Sequence, residues 1–63
     1  MDDIYEVGIL EAHLISKHKL PLGRYWTLKG MKYVAIDNTK GHALTKEFDD
    51  KDEMLEWLKG EKL

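Results

Sequence analysis

The sequence predicts an α+β fold: an N-terminal helix, a three-stranded antiparallel meander and a short C-terminal helix, in the order αβββα. Three features carry the prediction. Two runs of alternating β-formers flank Asn38-Thr39-Lys40-Gly41. Asn suits the first position of a type I turn and Gly the left-handed position after it, so Tyr33 to Phe48 reads as a hairpin closed by a turn and a glycine bulge. Asp50-Lys51-Asp52-Glu53 has the spacing of a capping box, with Asp50 as N-cap, and opens an apolar run that Gly60 ends. Residues 2–19 carry acids at one end and Lys17-His18-Lys19 at the other, as a helix dipole favours.

In chain order, the first helix runs from Asp2 to Lys19 and is stopped by Pro21, which has no N–H to donate and restricts Leu20. On a helical wheel Ile4, Val7, Leu10, Leu14 and Ile15 form one apolar arc, and Tyr5, Ile9 and Ala12 form a second on nearly the opposite side. One sheet needs one stripe, so the second implies cover by something else. Gly8, unfavourable inside a helix, implies close approach of another group to the backbone. Glu11 lies within the first arc, so it must either snorkel or find a partner such as Lys or His.

Arg24 to Leu28 reads as the first strand, Lys29-Gly30 as a two-residue turn, Met31 to Ile36 as the second strand and His42 to Phe48 as the third. That register puts Trp26, Leu28, Met31, Tyr33, Ala35, Leu44 and Phe48 on one face, read as the core. Tyr25, Thr27, Lys32, Val34, Ile36, Ala43, Thr45 and Glu47 fall on the other, an apolar patch if left uncovered. A one-residue slip in either turn exchanges the faces. In the last helix Met54, Leu55 and Leu58 form the apolar side, with Trp57 on its flank.

Sixty-three residues make one domain, residues 1–63, that buries only about 60% of its unfolded surface. Without cysteine there are no disulfides or thiolate zinc sites, which leaves good packing or a partner chain as support, and a reducing cytoplasm is expected. Met-Asp-Asp has the wrong charge for a signal peptide, and no apolar run reaches the roughly 20 residues of a membrane span. The net charge of −2 is unevenly spread: residues 1–11 hold four acids and no base, residues 12–46 have a balance of +6, and residues 47–63 a balance of −4. Such blocks can hold the two ends against the middle, or present two faces of opposite sign to a partner.

Catalytic groups are thin, and no enzyme, metal site or cofactor is expected. Ser16, the only serine, sits in a helix among lysines. His13 and His18 stand about 140° apart around a helix and cannot share one metal. His42 is expected opposite Asp37 across the turn. No glycine-rich phosphate loop is present. A nucleic-acid interface is one reading: Arg24, Lys29 and Lys32 interleave with Tyr25, Trp26 and Tyr33, the mix of phosphate contacts and stacking platforms used on single strands. The acids Asp50, Asp52, Glu53 and Glu56, with Asp49, offer another: imitation of phosphate charge toward a basic cleft.

Tyr25-Trp26, Tyr33-Val34-Ala35-Ile36-Asp37-Asn38-Thr39 with Gly41, Glu47-Phe48 and Trp57-Leu58 resemble small early open reading frames of Gram-positive bacteriophages and mobile elements, over residues 24–58. The resemblance implies a protein that binds a host protein and blocks or redirects it, as inhibitors of CRISPR effectors and restriction enzymes do. The expectation is therefore a non-enzymatic protein-binding module of the bacterial cytoplasm, acting on a host protein such as a defence nuclease by occluding a surface. Its expected contacts are Tyr5, Ile9, Ala12, Tyr25, Lys32, Val34 and Ile36, with the acids of the last helix. Homodimerisation is expected through the Tyr5/Ile9/Ala12 stripe or the Val34/Ile36 face.

Overall fold

The computed structural model describes residues 3–60, so Asp2, the expected start of the first helix, lies outside the described residues. The elements are β1 (Ile4–Glu6), α1 (Ile9–His18), β2 (Gly23–Lys29), β3 (Lys32–Asn38), β4 (Leu44–Phe48) and α2 (Lys51–Lys59). The fold is α+β, with one mixed four-stranded sheet in the order β1-β2-β3-β4.

The largest departure from the sequence reading is at the N-terminus. Ile4–Glu6 is a strand that runs parallel to β2, pairing Ile4 with Arg24, Tyr5 with Tyr25 and Glu6 with Trp26. The Val7 amide continues the ladder, donating to Trp26 O at 2.9 Å. Ile4-Tyr5-Glu6-Val7 is rich in β-branched and aromatic residues, which fit a pleated surface better than a helix. A parallel neighbour needs a crossover, and α1 supplies it. Gly8 is the N-cap, not a mid-helix residue, and nothing crowds it: an added Cβ would meet only Glu11 Oε1, at 3.9 Å. Glu11 is exposed, and in place of a Lys or His partner it accepts from the Gly8 N–H at 3.3 Å.

Both expected hairpins form, each one residue away from its expected centre. Lys29 pairs with Lys32 around Gly30-Met31, so Gly30 takes the first central position, with φ +63. Asn38 O accepts from the Gly41 N–H at 3.4 Å and Gly41 is left-handed, as the turn requires. Ala43 is left-handed too, at φ 49, so the loop is longer than a simple bulge and β4 begins at Leu44. Asp37 therefore faces Leu44, not His42. Each register differs from the expected one by two positions, an even number, so every strand residue keeps its expected face. Met31 is the casualty: at the hairpin tip it is 90% exposed, and Leu28 and Leu44 are exposed as well.

Both faces of the sheet are cores. On one, Ala35 packs with Met54 and Leu58 of α2, surrounded by Ile4, Trp26, Tyr33, Phe48, Leu55 and Trp57. On the other, Tyr25 and Ile36 pack under Ala12 and Ile15 of α1. Asp50 caps α2 as expected, accepting from the Glu53 N–H at 3.3 Å, and left-handed Gly60 ends it.

One buried polar residue ties the loops together. Asn38 Nδ2 donates to Pro21 O at 2.9 Å, and its Oδ1 accepts from the Ala43 N–H at 3.0 Å. The Tyr25 hydroxyl reaches the carbonyls of Pro21 and Leu22 at 3.2 and 3.1 Å. Gly23 makes room for it: its φ is +147, and a Cβ would lie 3.0 Å from the Tyr25 oxygen. Asn38→Ala strands a buried amide and removes a donor from Pro21, so it should cost about 1–3 kcal/mol. Urea denaturation against Lys40→Ala, an exposed loop change, checks this; equal midpoints for the two variants would contradict the tie.

Candidate functional site

The two helices cover the sheet unequally. α2 lies across β3 and β4 on its face, whereas α1 runs chiefly along β2 on the other. The α1 face is therefore half open: α1 covers Ile36 of β3 and meets β4 where Ser16 approaches Thr45, and a groove of about 290 Å³ remains beside these contacts. From α1 it is bordered by Ile9, Ala12, His13 and Ser16; Thr27 and Lys29 come from β2, Val34 and Ile36 from β3, and Thr45 and Glu47 from β4. Ile36 is buried beneath it, Val34 is half-buried, and Thr45 and Glu47 are exposed.

The inward side of α1 is Ala12 and Ile15. Its outward side carries Leu10, 72% exposed, and Leu14, 43% exposed. Sequence reasoning placed these leucines with Ile4 and Val7 in one arc, because it extended the helix through a strand. With the start set at Ile9, Ala12 and Ile15 face the sheet, and the leucines fall on the far side. Gly8 followed by Glu11 was the signal for that start: a permissive N-cap with an acid three residues on.

The expected contact residues separate accordingly. Tyr5 and Ile9 are each 54% exposed, but they do not share a helix stripe with Ala12. Tyr5 is on β1 with its ring 6.1 Å from that of Tyr25, and Ala12 belongs to the core. Tyr25 and Ile36 are buried, so Val34 alone of the expected sheet-face trio reaches the groove as a partly open side chain. Asp50 is engaged as a cap, and Asp52, Glu53 and Glu56 are exposed along α2, on the opposite side of the sheet from the groove.

The basic and aromatic residues do not form one surface. Tyr25 and Lys29 belong to the α1 face, Arg24, Trp26 and Tyr33 to the α2 face. Trp26 and Tyr33 pack ring to ring at 5.9 Å, and the Lys51 ammonium sits over the Trp26 ring at 5.1 Å. Lys46 covers Phe48 in the same way, at 5.3 Å. Each stacking surface thus already has an intramolecular cation or ring on it.

Chemically the groove holds hydroxyls, an imidazole, a lysine and a carboxylate around an apolar floor. The Ser16 hydroxyl lies 3.4 Å from that of Thr45, a second hydroxyl rather than a base, so the pair bridges α1 to β4 without activating a nucleophile. Among the described residues no cluster of three or more histidines and acids could hold a metal ion, and no helix is long and apolar enough to cross a membrane. No protein family, curated protein or solved structure matches the chain.

One charged pair borders this region. Lys32 Nζ donates to Asp49 Oδ1 between β3 and the start of α2, and both side chains are largely exposed. The hydrogen bond, and then the charge of Asp49, hold the Lys32 proton above the ordinary lysine range. Whatever stability the pair adds is present at neutral pH, is lost as pH rises through that raised value, and is screened by salt. Asp49→Asn should bring the Lys32 titration back toward the ordinary lysine value. NMR titration of the lysine Nζ resonances checks this; an unmoved Lys32 midpoint would show that the pair does not form in solution.

Proposed function

We propose that the chain is a small non-enzymatic protein-binding module that acts by covering the surface of another macromolecule. The observation that supports this best is the half-open α1 face, where a groove floored by Val34 and Ile36 lies beside a helix turning Ile9, Leu10 and Leu14 to solvent. Apolar surface left in water forgoes about 25 cal/mol for each Å² that docking would remove from it. Exposed apolar side chains near a groove edged by polar groups such as Lys29, Thr45 and Glu47 are the usual character of an interaction site.

Occlusion fits the chemistry of the groove, which offers shape and edge charges but no paired nucleophile and base. The narrower expectation, a phage-type inhibitor of a host defence nuclease, draws on the resemblance of residues 24–58. In that version Asp52, Glu53 and Glu56 of α2 would be a separate, phosphate-like surface on the far side of the sheet from the groove.

Tagged wild-type protein and Val34→Glu, used to capture partners from nuclease-treated bacterial lysate, test the proposal. Val34 is half-buried at the groove, so a carboxylate there puts a charge in the interface and should reduce recovery of the specific partner at least about tenfold. Recovery of the same proteins in equal amounts by both would overturn the proposal, as would a captured set that disappears on nuclease treatment.

A further inference from the structure

We infer that the groove seats one tyrosine side chain of a protein partner, with its ring on Val34 and its phenolic hydroxyl bonded to Thr27. This rests on the reading of the α1 face as a docking surface and names the chemistry that docks there.

The starting point is an unused polar group. Thr27 is only 4% exposed, yet it lines the groove, and among the described residues its hydroxyl has no hydrogen-bond partner. The other hydroxyls there are engaged: Ser16 lies 3.4 Å from Thr45, which donates to Ala43 O at 3.1 Å. A hydroxyl as deep as that of Thr27 costs stability unless something in the groove bonds to it. Water can do so in the free chain, and an occupant that expels the water must replace the bond.

Size and shape narrow the occupant. The Ser16–Thr45 contact closes one end, Ala12 and Ile15 already cover Ile36, and about 290 Å³ remains. That is the low end of small-molecule sites, with room for one large side chain and not for a helix. The register puts Thr27, Val34 and Glu47 in one row across β2, β3 and β4. Neighbouring strands stand about 4.8 Å apart, so an aromatic ring laid on Val34 from the β4 side brings its para substituent beside Thr27.

Charge narrows it further. Lys29 and Glu47 line the groove from β2 and β4 with opposite signs, and Lys32, opposite Lys29, is already held by Asp49. A charged side chain would lose its water there and meet no net opposite charge. A purely apolar one, leucine or phenylalanine, would shut Thr27 away from water with its hydroxyl unbonded. A small amide would leave Val34 and Ile9 uncovered. Tyrosine meets all three demands: apolar ring faces, no charge, and a tip hydroxyl that can donate or accept.

Titration of the intact chain with N-acetyl-tyrosinamide and with N-acetyl-phenylalaninamide, followed by NMR, tests the inference. The expected result is that both shift the Val34 and Ile9 methyl signals, with tyrosinamide binding about fivefold more tightly. Thr27→Val should bring the two affinities level, whereas Thr27→Ser, which keeps the hydroxyl, should preserve the difference. N-acetyl-lysinamide should leave these signals unmoved.

Equal affinities in the wild type, or tighter binding of phenylalaninamide, would overturn the inference and leave the docking face standing with an apolar occupant. Lysinamide that binds as well as tyrosinamide would overturn it too, as would a tyrosine preference undiminished in Thr27→Val. If neither aromatic amide moves a groove methyl, the inference falls, and the lysate capture with Val34→Glu decides the docking face separately.

Discussion

The structure depends on one constraint: the central strand is buried on both sides. Ala35 and Ile36 are adjacent in β3, so their side chains point to opposite faces of the sheet, and both are fully buried. No single helix can satisfy that. One layer must cover Ala35, and α2 does so with Met54 and Leu58, both fully buried. Another must cover Ile36, and α1 does so with the smaller pair Ala12 and Ile15. α1 is also the crossover between the parallel neighbours β1 and β2, so the strand before it brings it onto the face opposite α2.

The two layers are unequal because the two helices offer different cover. α2 is capped at both ends, bears acids at its start and a lysine at its end, and sets two large side chains into the sheet across β3 and β4. Aromatic residues around them widen the contact: Phe48 and Trp57 meet at 5.8 Å, Trp26 and Tyr33 at 5.9 Å. α1 presents alanine and isoleucine along β2, reaches β4 only where Ser16 meets Thr45, and leaves Val34 half-buried. The open region is thus the shortfall of cover on one face. Among the described residues every helix and strand is already placed in one of the two layers or in the sheet.

Much of this was legible in the sequence where local chemistry was strong. Asp50 and Gly60 mark α2 because capping is a contact within a few residues, and both ends formed as expected. The faces of the meander were legible although both turn centres were off, because two even displacements preserve the alternation. The first strand was not legible as one. Ile4, Val7, Leu10 and Leu14 repeat at helical spacing by coincidence, and only the parallel pairing of Tyr5 with Tyr25 shows that the repeat spans two elements. Ser16 meeting Thr45, and Asn38 meeting Pro21, join residues far apart in the chain, which periodicity cannot reveal. The site is made almost wholly of such distant pairings. The sequence signal that survives is the excess of apolar surface on α1, carried by Leu10 and Leu14 in place of Tyr5 and Ala12.

The central claim is that the half-open α1 face is where this molecule meets another. Methyl-resolved NMR spectra of the isolated chain, titrated with a small apolar dye as a probe of exposed apolar surface, test it most directly. The account predicts that methyl signals of Ile9, Leu10, Leu14 and Val34 shift or broaden as the dye is added, while those of Met54 and Leu58, sealed under α2, stay fixed. Spectra in which no methyl of the α1 face responds, or in which the α2 core moves instead, would contradict it.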